Sequence, residues 1–272
     1  MDKKEIIIGA IIGLLLTAQL TSAAYSKEAS DMGAVKDRVV IKIVFDNKTV
    51  NKQYEAGYGF ACVIKKDDKN ILFDTGCCGK TLLYNMKKTG IKPEDIDIIV
   101  LSHSHWDHTG GLFDFLKVNS NVTVYVLPSF SKKFKQEIKN NGAKIKECAG
   151  YKEILKGVFT TGELGGKIKE QSLIIDANDG VVLITGCAHP GIVNIVKSAD
   201  DSHKNKISII VGGLHLMDKS LTETGKIIAA LKKLGIKEVI PLHCTGGKQS
   251  KILRRDFASP FKEPGAGMRI EL

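Results

Sequence analysis

The sequence has 272 residues, 43% of them hydrophobic and 26% charged, which suits a globular domain with one large core and excludes a disordered or fibrous chain. Its formal net charge is +10, but the lysines are scattered through KKDDK, KKTGIK, SKKFK and KIKE among acids and turns, with no basic helix interleaved with aromatics. That excludes a nucleic-acid surface and leaves a small, anionic molecule as the partner the charge favours. Six cysteines with no repeated spacing and no Cys-x-x-Cys pair do not announce a disulfide framework; export would allow one bridge, but Cys187 and Cys244 stand close to histidines and are candidates for a site.

In chain order, residues 6–20 read IIIGAIIGLLLTAQL without a charge, and small residues follow around Thr21-Ser22-Ala23-Ala24. This run is shorter than the about 20 apolar residues of a spanning helix, so residues 1–24 are expected to be a signal peptide, with an uncleaved membrane anchor through residues 6–20 as the alternative. The protein is accordingly expected to be exported or membrane-anchored, with its single domain over residues 38–272. Alternation over 38–45 predicts a first strand, and apolar runs at 60–65 and 70–73 around Asp67-Asp68-Lys69 predict a hairpin. A helix is predicted over 80–89, ended by Gly90, and a buried strand over 97–101. Strands at 173–175, 181–185, 207–211 and 238–242 alternate with helices at 191 to about 197 and 222–234. Short strands with peripheral helices in both halves predict an α/β protein, an αββα sandwich of two mixed sheets flanked by helices.

Three of the seven histidines fall in the segment His103-x-His105-x-Asp107-His108, directly after an apolar strand. Neutral imidazole and carboxylate are ligands that zinc, manganese and iron all accept, and alternate side chains leaving a strand end can aim at one point while the next pair aims at another. The spacing therefore predicts a divalent metal centre, taken as two Zn2+ with Mn2+ or Fe equally acceptable to the ligands. Gly110-Gly111 follows as a tight turn into a helix near Leu112. His203, among polar neighbours, reads as loop surface. Neither a Gly-x-Ser-x-Gly elbow nor a phosphate-cradling glycine loop is present, which removes serine hydrolysis and nucleotide chemistry.

The His-x-His-x-Asp-His segment, preceded by the turn Phe73-Asp74-Thr75-Gly76, resembles the hallmark of the metallo-β-lactamase superfamily. GCAHPGIVN (186–194), GGLHL (212–216) and PLHCTG (241–246) look like its 7,8-dihydropterin-6-ylmethyl-4-(β-D-ribofuranosyl)aminobenzene 5′-phosphate synthase subfamily. The resemblance implies the metallo-β-lactamase fold, with His103, His105 and His189 binding one metal and Asp107, His108 and His243 the other. Asp74 would hold a ligand imidazole by its outer nitrogen, or serve only as a turn residue. The superfamily's usual bridging aspartate is missing: Cys187 follows the strand instead, as a thiolate ligand or a small buried residue, and Glu170 precedes it as a further ligand candidate. His215 reads as a proton donor or anion clamp, or as a hydrogen-bonded structural histidine, and Trp106 as a wall of the cleft.

These residues imply a metal-dependent hydrolase acting on an anionic ester such as a phosphoester or lactone, with Asp107 and His215 as catalytic groups. The subfamily resemblance implies an alternative, a pterin-type transferase releasing diphosphate. A non-catalytic metal-binding module is the third reading.

Overall fold

A computed structural model describes residues 38–257 and 263–272. The expected leader lies outside these residues; among the described ones no helix is long and apolar enough to cross a membrane. Residues Val39–Leu272 form a compact unit.

Two sheets face each other. The first comprises β1 (Val39–Phe45), β2 (Ala61–Lys66), β3 (Lys69–Phe73), β4 (Ile98–Val100), β5 (Thr123–Val126), β6 (Lys144–Glu147) and β13 (Arg269–Glu271), in the order β13-β1-β2-β3-β4-β5-β6. The second comprises β7 (Lys152–Leu155), β8 (Val158–Thr160), β9 (Leu173–Ala177), β10 (Gly180–Thr185), β11 (Ile207–Gly213) and β12 (Glu238–Leu242), in the order β12-β11-β10-β9-β8-β7. Strand periodicity makes the layers. Ile41 and Ile43 of β1, Cys62 and Ile64 of β2, Val182 and Ile184 of β10 and Ile240 and Leu242 of β12 meet in one buried cluster between the sheets. Their strand neighbours point outward: Val44, Ala61 and Val63 pack on Leu82, Met86, Leu112 and Phe115 of one helical layer, while Val181, Leu183 and Val239 pack on Ile195, Leu231 and Leu253 of the other. The predicted αββα sandwich is the observed one.

Most predicted elements recur within a residue or two, and the exceptions have physical causes. The helix Ile192–Ser202 runs beyond the predicted end near Lys197, because Ala199 and Asp200 continue its buried face and Asp200 Oδ1 accepts the Ile207 N–H at 2.9 Å. Gly191 is the residue before that helix, with φ 88°. His203 is not surface: it is 7% exposed, its Nδ1 lies 2.8 Å from the Tyr151 hydroxyl, and its Nε2 lies 3.0 Å from Asp176 Oδ1. Polar neighbours in sequence concealed partners that arrive from β9 and the start of β7.

The topology collects strand ends. β3, β4 and β5 run parallel to one another, as do β10, β11 and β12, so within each group the carboxyl ends emerge on one edge. The residues that follow, Asp74, Ser102-His103, Cys187, His215 and His243, are the ones singled out by their chemistry. Close backbone approach makes this possible at Gly212 of β11, where φ is +125° and an added Cβ would lie 2.1 Å from the Thr185 carbonyl oxygen. Gly212→Ala is expected to destabilise the fold by about 2–4 kcal/mol through positive-φ strain and this overlap, measured as the shift in urea unfolding; a shift below the error of the method would contradict the packing described.

Candidate metal centre

Six side chains converge in two sets of three. Donor atoms of His103, His105 and His189 lie within 4.8 Å of one another, and so do those of Asp107, His108 and His243. The first three rings make a nearly equal-sided triangle, with centroids 4.6, 4.8 and 4.9 Å apart. In the second set Asp107 Oδ2 lies 3.5 Å from His108 Nε2 and 3.2 Å from His243 Nε2. The sets adjoin, since the His103 and His108 rings are 4.2 Å apart.

Local structure explains how near neighbours in sequence serve different sets. β4 ends at Val100, His105 leaves in extended backbone, and the short helix Trp106–Thr109 then carries Asp107 and His108 into the second set. This helix sits close under the loop before β2: Phe60 N–H donates to the Asp107 carbonyl, and at Gly59 (φ +137°) a Cβ would lie 2.1 Å from that oxygen.

The imidazoles are held by their outer nitrogens. Asp74, fully buried, accepts the Ser102 N–H at Oδ1 (2.7 Å) and the Ser102 hydroxyl at Oδ2 (2.7 Å), and Oδ2 also lies 2.7 Å from His108 Nδ1. Ser102 Oγ in turn contacts His103 Nδ1 at 2.9 Å. For His243, Nδ1 lies 2.9 Å from Asn47 Oδ1, and the backbone N–H donates to Asp46 Oδ1 at 2.7 Å. Burial pushes the Asp46 carboxyl up to about 7 against these backbone donors. Asp46 and Asn47 escaped the sequence reading; their signal was their position immediately after the first strand.

The Nε2 atoms of His189 and His243 are buried and make no well-formed hydrogen bond, His243 Nε2 meeting only the Asp107 carboxylate at 3.2 Å. Buried polar atoms are normally satisfied, so two such imidazole nitrogens, one in each set, fit cations placed inside the two triangles. Electrostatics agrees for the first set, whereas a cation in the second would have to displace the proton that Asp74 and Asp107 hold on His108. Burial, then the His108, His189 and His105 rings, hold His103 far below the ordinary imidazole range, and burial with His215 and His105 pushes His189 down to about 4. Both are therefore neutral and able to donate lone pairs at pH 7. Burial works against the charged forms of Asp107 and His108, but their mutual contact, His243 on Asp107 and Asp74 on His108 outweigh it, holding the Asp107 carboxyl well below its usual range and raising His108 to about 10.

The remaining candidates take distinct places. Cys187 Sγ lies 3.2 Å from His108 Nε2, inside a further group with His103 and His108 where the sets meet. Glu170 belongs to neither set: Oε1 accepts the N–H groups of Cys187 and Ala188 and Oε2 that of His189, so it positions the loop that carries them. His215 is exposed, with φ +50° and its ring 4.4 Å from that of His189. The cleft above has a volume of about 320 Å³. Trp106 walls it as expected, stacked on Tyr58 at 6.0 Å, and Tyr58 had not been foreseen.

The model for the family described as metallo-beta-lactamase superfamily matches residues 54–243. The chain belongs to this superfamily. The superfamily fold implies divalent metal binding, in keeping with the donor groups above. Among relatives, the 7,8-dihydropterin-6-methyl-4-(beta-D-ribofuranosyl)-aminobenzene-5'-phosphate synthase of Methanocaldococcus jannaschii is 29% identical, over 89% of this chain and 99% of that protein. An uncharacterised protein of the same organism is 31% identical over 77% of this chain and 91% of its own length. A crystal structure of a metal-dependent hydrolase of the β-lactamase superfamily superposes with a TM-score of 0.73 at 29% identity, covering 86% of this chain and 99% of that one.

The Asp74–His108 contact sets a pH window for this superfamily member. Because His108 in the metal-free fold is raised from 6.5 to about 10, the stability it contributes is fully present below pH 6.5 and is lost as pH rises toward 10. The thermal midpoint of metal-free protein is expected to fall across that window, and Asp74→Asn to flatten the fall while weakening metal affinity about 10–100-fold. An unchanged slope and affinity in Asp74→Asn would contradict the assignment.

Proposed function

We propose that the protein is a metal-dependent hydrolase that directs water at an anionic ester, a phosphoester, lactone or related group. The observation that carries this reading is the pair of three-residue sets, each with a buried Nε2 that makes no well-formed hydrogen bond. His103, His105 and His189 would hold one divalent cation and Asp107, His108 and His243 the second. Such a pair, when bound, supplies Lewis acidity: it makes water a nucleophile near neutral pH and offsets charge building on the substrate's oxygens.

The chain's own residues do the rest. The Asp107 carboxyl, ionised at neutral pH, points Oδ2 between His108 and His243 and is the acceptor that orients the attacking water and takes its proton. His215, exposed on the cleft, has its imidazole pKa raised by its hydrogen bond to Cys244, so it offers a proton to the leaving oxygen or a positive charge to the anion. Tyr58 and Trp106 cover one side and limit water entry. The net positive charge of the chain draws an anionic substrate toward the site.

A second reading is favoured by one observation, the likeness to the pterin-related synthase over nearly the whole of that protein. On that reading the same cradle would stabilise a departing diphosphate, and the amine nitrogen of an aminobenzene rather than water would attack the pterinylmethyl carbon, forming a C–N bond as the C–O bond to diphosphate breaks and the amine proton is lost. Both readings use an electrophilic centre and an oxygen leaving group, and they differ in the nucleophile.

Metal-loaded protein is expected to hydrolyse phosphoester or lactone substrates with solvent oxygen entering the product, read by mass spectrometry in ¹⁸O water. His105→Ala and Asp107→Asn are expected to lower kcat/KM by about 10²–10⁴-fold. Diphosphate release that requires a ribosylated aminobenzene phosphate would favour the transferase; full activity in both variants would contradict the site itself.

A further inference from the structure

Neither ligand set includes the Cys244 thiol or the His215 ring; a cation held by that ring would take the place of its proton as the positive charge on the cleft. Cys187, His215 and Cys244 bring their donor atoms within 4.8 Å of one another, with the His215 ring also 4.4 Å from that of His189. We infer that Cys187, His215 and Cys244 form a separate thiophilic site for a soft d¹⁰ cation, of the class of Zn2+, Cd2+ or Cu+, sharing Cys187 with the neighbouring centre.

Packing does not account for these two cysteines. Cys62 and Cys148 belong to the core between the sheets, and Cys77 and Cys78 pack against the first helical layer. Cys187 and Cys244 are 4% and 3% exposed, yet among the described residues they belong to none of the three apolar clusters. Both are free thiols. Cys244 Sγ contacts the Cys187 carbonyl oxygen at 3.6 Å, and its sulfur lies within 4.8 Å of a His215 ring nitrogen. A buried cysteine that serves as a small hydrophobe finds apolar neighbours, whereas these two find each other and an imidazole.

The backbone builds the arrangement from three adjacent strand ends. Cys187 follows β10, His215 follows β11 and Cys244 follows β12, and these strands are parallel neighbours. His215 and His243 take positive φ, +50° and +46°, conformations that persist only where surrounding bonds enforce them. Here the enforcing bonds are Leu214 N–H to Thr245 Oγ1, Thr245 Oγ1 to the Leu242 carbonyl, and His243 N–H to Asp46. At Gly213 an added Cβ would stand 2.7 Å from Cys244 Sγ and 3.3 Å from Cys187 Cα, so the missing side chain is what admits the Cys244 sulfur against Cys187. Tetrahedral S and N ligands of zinc stand roughly 3.5–3.8 Å apart, a contraction that side-chain rotation within the 4.8 Å group supplies. Two sulfurs and one nitrogen favour a soft ion over Mg2+ or Mn2+. The exposed His215 ring opens the site to the cleft and leaves a fourth position for an exchangeable ligand.

This inference can fail independently of the dinuclear reading. Full-length protein, metal-free and with thiols reduced, is titrated anaerobically with Cd2+, following bound equivalents by dialysis and the thiolate-to-cadmium ultraviolet band. Wild type is expected to show that band saturating with a single equivalent. Cys244→Ser should lose half of the band or more, and both Cys244→Ser and His215→Ala should weaken that equivalent at least about tenfold. His105→Ala should leave the band intact and lose a band-silent equivalent, which tests the histidine set alone. A wild-type band and affinity in both Cys244→Ser and His215→Ala would overturn the site. So would a band abolished only by Cys187→Ala, which would assign that sulfur to the dinuclear centre. His215 is exposed, so its variant carries the test even if Cys244→Ser fails to fold.

Discussion

The centre depends on one buried carboxylate. Asp74 leaves the end of β3 with φ +58° and no solvent contact, and its two oxygens bind the Ser102 backbone, the Ser102 hydroxyl and His108 Nδ1. A single negative charge thereby ties the end of β3 to the end of β4 and to the short helix after it. Through Ser102 it also reaches His103, so both ligand sets are referenced to the same group. Buried without these donors, the carboxylate would cost several kcal/mol; with them it becomes the fixed point from which the imidazoles are aimed.

The second sheet answers this with backbone rather than charge. Glu170 spends both oxygens on the N–H groups of Cys187, Ala188 and His189, and so shapes the loop that brings His189 to the first set. Asp46 and Asn47, at the end of β1 in the opposite sheet, fix His243 at its N–H and Nδ1. Both halves of the sandwich thus supply candidate ligands, and the first also orients one from the second, His243. Where the resemblance leads one to expect a bridging carboxylate stands Cys187, whose sulfur groups with the donor atoms of His103 and His108 on one hand and of His215 and Cys244 on the other.

Much of this was legible from the chain because it is local. His103, His105, Asp107 and His108 are consecutive enough for a strand end and one helical turn to split them between two sets, and Phe73–Gly76 announces Asp74. The alternation of 38–45 and the apolar runs before His103, Cys187 and His243 revealed the strands that deliver the site. What stayed hidden is what distance in sequence conceals. Asn47 meets His243 across 196 positions, and Tyr58 reaches the cleft only once the loop after β1 closes on the helix of Trp106. The strands β6 and β7 are short and largely exposed, so they carry no hydrophobic period to read. His203 was misread because its partners Tyr151 and Asp176 lie in other strands or loops.

The most direct measurement is anomalous diffraction from crystals of the full chain grown with zinc or manganese. The account predicts one peak within about 2.0–2.3 Å of the donors of His103, His105 and His189 and a second equally close to those of Asp107, His108 and His243. Absence of density in both triangles at saturating metal, with the ions bound elsewhere on the surface, would contradict it.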